Sequence, residues 1–190
     1  MCTRCLKKVS ATNHTFDSKG YCTVCGYKSR PLTSIVPAKK SYTLGMGEKT
    51  VKIRCAPVGG NGKDKITFKS SDTAVVKVNS STGLLTPVKN GTATVTLSSG
   101  KIKTTVTVKV ITPTIKVSKT KVKLAVGKSY TVTAALSAET ELNSYTWKSQ
   151  NPDIATVDKN GEITAVKSGT AIIVVKTAGG KKATVKVTVP

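Results

Sequence analysis

The sequence is short of aromatic and acidic residues, and both shortages limit what the protein can be. Phe, Trp and Tyr make up 4% of the 190 residues, and Asp and Glu number 9 against 31 Lys and Arg. With so few aromatic side chains, each hydrophobic core has to be built mainly from Val, Ile, Leu and Ala. The carboxylates are scattered along the chain, whereas a glycosidase needs two of them facing each other across a cleft.

Histidine, arginine and long apolar runs are also scarce. His14 is the only histidine, which excludes a Ser/His/Asp relay in the rest of the chain. The longest aliphatic run, AIIVV at 171–175, is far shorter than the roughly 18 apolar residues of a membrane span. The first 20 residues contain no apolar stretch of signal-peptide type. We therefore expect no enzyme and no membrane insertion, in a protein that is either unexported or a piece of a longer one.

What the sequence does contain is an internal repeat between residues 34 and 190. The stretch ITFKSSDTAVVKV (66–78) aligns with YTWKSQNPDIATV (145–157), so that Phe68 and Trp147 occupy equivalent positions in the two repeats. Downstream, TGLLTPVKNGTATVTL aligns with NGEITAVKSGTAIIVV, and upstream LGMGEK aligns with LAVGKS. The repeat divides the chain into an N-terminal segment, residues 1–31, and two domains, residues 32–111 and 112–190.

Within each repeat, apolar residues alternate with lysines and threonines. In KTKVKLAV (119–126), for example, Val122, Leu124 and Val126 are predicted to face inward. The alternation, with Asn-Gly and similar turn signals between the runs, predicts about seven short strands per repeat and no helix. Each repeat is therefore predicted to be a two-layer antiparallel sandwich of immunoglobulin type, with Phe68 or Trp147 in its core. Cys55 is predicted to face the first core as a small apolar side chain.

The stretch WKSQNPDIATVDKNGEITAVKSGTAIIVV (147–175) resembles the group 2 bacterial immunoglobulin-like domains. The shared features are an aromatic residue, two glycines and an alternating pattern at set distances. The first repeat is similar but has Phe68 for the tryptophan and Thr73 in place of a proline. The resemblance implies an all-β fold of two tandem Ig-like sandwiches. It also implies a spacer, display module or weak carbohydrate or envelope binder on bacterial surface proteins or phage virions, without a catalytic set.

Four of the five cysteines stand in two C-x2-C pairs at the start of the chain: Cys2 with Cys5, and Cys22 with Cys25. Such pairs, sixteen residues apart, are typical of a small zinc ribbon, in which four thiolates surround one Zn²⁺ and leave no position for water. A segment this short needs the metal to fold. The fold prediction therefore includes an N-terminal zinc ribbon in residues 1–31, with structural Zn²⁺ on these four cysteines.

Three other interpretations of the cysteines stay open. A redox pair would sit at the start of a helix in a βαβ unit, which the sequence does not predict. Two disulfides would form if the segment were exported to an oxidising compartment. In the third interpretation, His14, which lies between the two pairs, replaces one cysteine as a zinc ligand.

The net charge of +22 predicts an anionic partner. We expect a non-enzymatic structural or display protein of a phage virion or bacterial surface. Its partners would be other subunits of that assembly, or anionic envelope polymers and glycans such as teichoic acid, lipopolysaccharide or capsule. The absence of export and sorting signals favours the virion over the cell surface. The alternative is a nucleic-acid-binding zinc ribbon with accessory Ig-like domains, but 28 of the 31 basic residues are Lys, and Arg is the residue that forks onto phosphates and guanine edges.

Overall fold

The computed structural model describes residues 17, 21, 23, 30–60 and 64–190. Every regular secondary-structure element in this part of the chain is a β-strand. Eighteen strands follow one another in these residues, nine in each half. The first half contains β1 (Arg30–Pro37), β2 (Ser41–Gly45), β3 (Val51–Lys52), β4 (Cys55–Gly60), β5 (Thr67–Ser70), β6 (Val76–Val78), β7 (Leu84–Pro87), β8 (Gly91–Ser99) and β9 (Ile102–Ile111). The second contains β10 (Ile115–Val117), β11 (Lys121–Lys123), β12 (Ser129–Thr131), β13 (Ala134–Leu136), β14 (Tyr145–Ser149), β15 (Ala155–Val157), β16 (Glu162–Ala165), β17 (Gly169–Thr177) and β18 (Lys182–Val189).

The two halves have the same sheet topology, strand for strand. In the first half the sheets are β2-β9-β8-β5, β3-β7-β6 and β1-β4, and in the second they are β11-β18-β17-β14, β12-β16-β15 and β10-β13. Each half is a sandwich of a four-stranded and a three-stranded layer, with one additional pair of strands. The all-β prediction of two tandem Ig-like sandwiches is confirmed for this part of the chain.

Each sandwich has its own core, built from the inward residues of both layers. In the first, Leu44, Val95 and Val108 come from the four-stranded sheet and Leu85 from the three-stranded one. In the second, Ile173, Val187 and Ile163 have the same arrangement. Burying one such aliphatic side chain stabilises the fold by about 1.5 to 3 kcal/mol. Two separate aliphatic cores therefore account for two domains in a chain with few aromatic residues.

The aromatic residue of each repeat lies where the alignment predicts it. Phe68 is buried in the first core, and Trp147 is half-buried and packs against the second. Below Trp147 lies Gly161, whose φ of +84° is in the left-handed region that favours glycine. A Cβ at this position would lie 2.9 Å from Trp147 Cζ2 and also against the carbonyl oxygen of Val132. The glycine of the motif is therefore required by the ring that packs on it.

Three details of the prediction were wrong. Each half has nine described strands and not seven, because a separate pair, β1-β4 or β10-β13, is added to the seven strands of the two layers. The sandwiches are not fully antiparallel, since β2 pairs in parallel with β9 and β11 pairs in parallel with β18. Val126 does not face inward: β11 ends at Lys123, and the valine is 55% exposed beside the turn at Gly127. The alternation of residues 119–126 continues past the point where the strand ends.

Candidate functional site

The predicted metal ligands, Cys2, Cys5, Cys22 and Cys25, lie outside the residues that the structure describes, as does His14. Zinc at this position therefore stays a prediction. Within the described residues, no group of three or more His, Cys, Asp or Glu is placed to hold a metal ion. The described part also contains no helix with the length and apolar character that crossing a bilayer requires.

Two residues of the repeats, Cys55 and Asp158, have side chains of the kind that act as a nucleophile or an acid, but their surroundings do not fit these roles. Cys55 is half-buried against the first core, and burial raises the pKa of its thiol, which keeps it in the less reactive protonated form. Asp158 Oδ1 accepts hydrogen bonds from the backbone N–H groups of Asn160 and Glu162, each at 2.8 Å. The Glu162 N–H is the main cause that holds the pKa of this carboxyl below its ordinary value. Asp158 thus closes a turn, in a position unlike that of a catalytic acid.

A cluster that the sequence did not predict lies where the two domains meet, and it is centred on Glu48. β2 ends at Gly45, and the chain turns back so that Glu48 Oε2 accepts a hydrogen bond from the Gly45 N–H at 2.9 Å. Glu48 N–H in turn donates to the Gly45 carbonyl at 3.1 Å. A Cβ on Gly45 would lie only 2.6 Å from Glu48 Cδ, so a larger residue would displace this carboxylate from its position. The turn fixes the carboxylate at the edge of the first domain.

The second domain supplies the other hydrogen-bond donors. Glu48 Oε1 accepts from Thr140 Oγ1 at 2.6 Å and from the Ser144 N–H at 3.1 Å. Thr140, which is only 7% exposed, is held by Asn143, whose N–H donates to Thr140 Oγ1 at 2.9 Å and whose Oδ1 accepts from Thr140 N–H at 2.8 Å. Asn143 has a φ of +47°, a conformation that asparagine tolerates better than most residues. We call Gly45, Glu48, Thr140, Asn143 and Ser144 the Glu48 clasp.

Further contacts surround the clasp on both sides. Lys39 Nζ lies 2.7 Å from Glu141 Oε2, and this hydrogen bond is the main cause that raises the pKa of Lys39. The Glu141 N–H donates to the Thr43 carbonyl at 2.8 Å. Gly47, with a φ of +74°, lies so close to the Ala178 carbonyl that no side chain would fit. The second domain therefore contacts the first through the loop at residues 139–144 and through Ala178 and Gly179 in the turn after β17.

The repeat alignment contains a difference between the two repeats at the clasp, but its meaning can be interpreted only with the structure. LGMGEK of the first repeat aligns with LAVGKS of the second, so Ala125 and Lys128 stand where the first repeat has Gly45 and Glu48. A glycine and an acid that differ between otherwise similar repeats indicate a contact made by one copy only. Their partners in the loop at 139–144 have no recognisable motif, because they are defined by proximity in space.

The chain is similar in sequence to parts of two curated proteins. The chain is 40% identical over 63 residues to a lacto-N-biosidase of Bifidobacterium bifidum, covering 33% of this chain and 6% of that protein. It is 30% identical over 157 residues to an uncharacterised protein of Clostridium acetobutylicum, covering 79% of this chain and 16% of that protein. The chain thus spans a small part of the curated relatives it matches.

Among solved structures, domains 5 and 6 of the S-layer protein SbsC match 85% of this chain and 98% of that chain, at 20% identity and a TM-score of 0.38. The family described as bacterial Ig-like domain (group 2) matches twice, at residues 33–110 and 111–187, which together cover most of the sequence. This chain therefore belongs to the group 2 bacterial Ig-like domain family and contains two copies of the domain in tandem.

Proposed function

We propose that the protein is a non-enzymatic structural module in which two Ig-like domains form a stiff spacer that displays a basic surface. The Glu48 clasp is the observation that carries this proposal. A spacer must keep the orientation of its parts, and a flexible joint between two domains would lose it. The clasp joins the domains through one carboxylate that accepts hydrogen bonds from both of them.

The energy of the clasp supports a stiff joint. Hydrogen bonds to a charged group contribute about 1.5 to 3 kcal/mol each, and Glu48 accepts three, two of them from the second domain. The connection between β9 and β10 is only three residues long, from Thr112 to Thr114, which limits the distance that the domains can separate. Thr112 Oγ1 also donates to Asn90 Oδ1 at 2.9 Å, and so ties this connection to the first domain.

We further propose that this spacer belongs to a bacterial surface or a phage virion, and that its partners are other subunits of that assembly or anionic envelope polymers. The family and the charge of +22 support this setting. Both domains contribute to the charge, because in each repeat the acidic residues are fewer than the lysines. An exposed basic surface attracts polyanions, and the attraction weakens as salt rises.

The spacer proposal is tested by replacing Glu48 with Ala in the full chain. The substitution removes the acceptor for both domains, and we expect the loss of its two hydrogen bonds from the second domain to weaken the coupling by about 3 to 6 kcal/mol. Residual dipolar couplings measured by NMR report the alignment of each domain. In the unmodified protein one alignment tensor should fit both domains, and in Glu48→Ala two different tensors should be needed.

A matched control is Glu162→Ala, which makes the same change of charge at an exposed position of β16, far from the clasp in sequence. This variant should keep the single tensor. Two unrelated tensors in the unmodified protein, or no change in Glu48→Ala, would show that the clasp does not orient the domains, and the spacer proposal would then be wrong.

We also propose that Cys2, Cys5, Cys22 and Cys25 bind one structural Zn²⁺, on the basis of their two C-x2-C pairs. Protein purified without chelator should contain about one zinc per chain. The Cys22→Ser/Cys25→Ser variant should lose the metal, whereas Cys55→Ser, which changes the thiol in the first domain, should retain it. A protein without metal, and with no free thiol other than Cys55, would instead have two disulfides.

A further inference from the structure

The outer face of the four-stranded sheet in the second domain has an unusual charge distribution. The sheet consists of β11, β18, β17 and β14, and these strands contain no Asp or Glu. Their outward positions include six exposed lysines, which we call the basic face: Lys121, Lys123, Lys148, Lys176, Lys182 and Lys186. The ion pair between the described residues Lys39 and Glu141 lies elsewhere and involves no lysine of this face. The basic face is therefore not neutralised by described carboxylates.

Two pairs of these lysines lie directly opposite each other on neighbouring strands. Lys176 of β17 is the partner of Lys182 on β18, and Lys121 of β11 is the partner of Lys186 on β18. In the antiparallel pair of β17 and β18, directly opposite side chains have their Cβ atoms about 4.5 to 5.5 Å apart, and like charges there destabilise a sheet. Lys121 and Lys186 are neighbours in the parallel pair of β11 and β18. Nothing in the core requires lysine at these outward positions. The repulsion is a cost to stability that a bound anion would remove.

The first domain provides an internal comparison, because its corresponding sheet has the same topology without this feature. The strands β2, β9, β8 and β5 contain only three lysines, Lys69, Lys103 and Lys109. Their cross-strand partners on β8 are Thr96, Ser98 and Thr92. Each lysine thus faces a hydroxyl side chain, and none faces another lysine. The fold itself does not produce a basic face, which is a property of the second repeat.

One side of the basic face forms an open groove with a volume of about 590 Å³. It is lined by Lys148, Lys176 and Lys182 and by hydroxyl, amide and apolar groups: Thr146, Ser149, Gln150, Pro152 and Val174. No carboxylate lines it. Ser149 Oγ already donates to the Ala155 carbonyl at 2.6 Å. The groove thus offers positive charge together with the Thr146 hydroxyl and the Gln150 amide, which can donate hydrogen bonds to phosphate oxygens or exchange them with hydroxyl groups.

The composition of the face is poorly suited to nucleic acid. Tyr145 and Trp147 alternate with Thr146 and Lys148 along β14 and belong to the opposite side of the sheet. The strands of the face contain no Arg. Stacking on bases needs exposed aromatic rings, and bidentate contacts to guanine or phosphate favour Arg. Lysines act as point charges, which match a flexible chain of phosphate groups without requiring a fixed geometry.

We propose that the basic face binds a flexible phosphodiester polymer with hydroxyl-bearing repeats, of the teichoic-acid type. This inference rests on the proposed function, since it names the polymer and the surface that a spacer on an envelope would use. Lys182 and Lys186 lie four residues apart on β18, which is about 13 Å along the strand. The six lysines can therefore contact several successive phosphates of one chain.

The test compares two triple variants of the full chain that change the net charge equally. One replaces Lys176, Lys182 and Lys186 with Gln on the basic face, and the other replaces Lys69, Lys103 and Lys109 with Gln in the first domain. Binding of purified poly(glycerol phosphate) is measured by calorimetry over a range of salt concentrations. We expect the first variant to bind at least 10-fold more weakly and the second to bind within about 3-fold of the unmodified protein.

The salt dependence gives a second readout. Losing three phosphate contacts should reduce the slope of log Kd against log salt by about 2 for the first variant only. The melting temperature of the first variant should stay the same or rise, because the repulsion between Lys176 and Lys182 is gone, so misfolding would not explain a loss of binding.

Three results would overturn the proposal. Equal weakening in both variants would mean that only net charge matters. Tighter binding to duplex DNA than to the polymer, lost with the same lysines, would assign the face to nucleic acid. No binding by the unmodified protein would exclude the polymer. None of these results depends on the alignment of the two domains, so the spacer proposal stands or falls separately on the Glu48 experiment.

Discussion

At the scale of single residues, the relation between Trp147 and Gly161 was predictable in part. The repeat alignment paired Phe68 with Trp147 and identified the glycines that follow them. It did not show that the glycine lies under the ring, with a φ of +84° and with the Val132 carbonyl oxygen where a Cβ would lie. That contact depends on the fold, in which the turn before β16 comes close to β14.

This contact predicts that Gly161→Ala destabilises the second domain more than a glycine replacement at an open position. Gly180 has a similar φ of +88°, but a Cβ added there would meet no atom within 4 Å, so Gly180→Ala isolates the cost of the backbone conformation alone. That cost is about 1 kcal/mol, and the collision at Gly161 should add about 2 kcal/mol or more. Equilibrium unfolding in urea would measure both. Equal losses would mean that Trp147 moves aside without cost.

Residues of the Glu48 clasp show the limit of sequence reasoning at this scale. Glu48 and Thr140 are 92 positions apart and belong to different repeats. Periodicity and propensity describe neighbours along one chain segment, and neither relates these two residues. Only the difference between LGMGEK and LAVGKS in the two repeats marks the site, and this difference has no meaning until the partner loop is known.

At the scale of strands, the period of two predicted most of the buried faces. In β9, the inward residues Val106, Val108 and Val110 are buried, and their neighbours Thr107 and Lys109 are exposed. The period could not show where a strand ends, because a turn can continue the same alternation. The prediction that Val126 faces inward was wrong for this reason. The period also carries no information on strand direction, so the parallel pairs β2–β9 and β11–β18 were not predicted.

At the scale of strands, the sequence also predicts the basic face only in part. The lysines of β11 and β18 are visible as outward residues in an alternating pattern. Their arrangement into opposing pairs, such as Lys121 with Lys186, needs the register of two strands that are far apart in sequence. The net charge of the chain therefore does not distinguish the two domains, whereas charge counted on the sheets does.

At the scale of the whole molecule, the repeat predicted two domains of the same kind, and the family match supports this. Their relative placement could not be predicted, because it is set by contacts between residues that the repeat does not relate. Gly47 lies against Ala178, and a Cβ on Gly179 would lie 3.0 Å from the carbonyl oxygen of Met46. These small residues let two turns approach closely, which a larger side chain in either turn would prevent.

The parallel pairing of β2 with β9 and of β11 with β18 has a mechanical consequence. In each domain an early strand lies alongside the last one and runs in the same direction. A force that separates the ends of a domain therefore slides the two strands past each other and loads their hydrogen bonds all at once. Each domain should resist tension along the chain far better than tension that opens a hairpin.

Single-molecule pulling by force microscopy would measure this resistance as two unfolding events at high force. As a comparison, handles at Ser168 and Pro190 would pull apart the adjacent ends of β17 and β18, which are antiparallel, and open their bonds one after another. We expect a clearly lower force in that geometry. Equal forces would show that the parallel pairs do not bear the load. With unequal forces, the module would act as a tether that holds under tension along the chain.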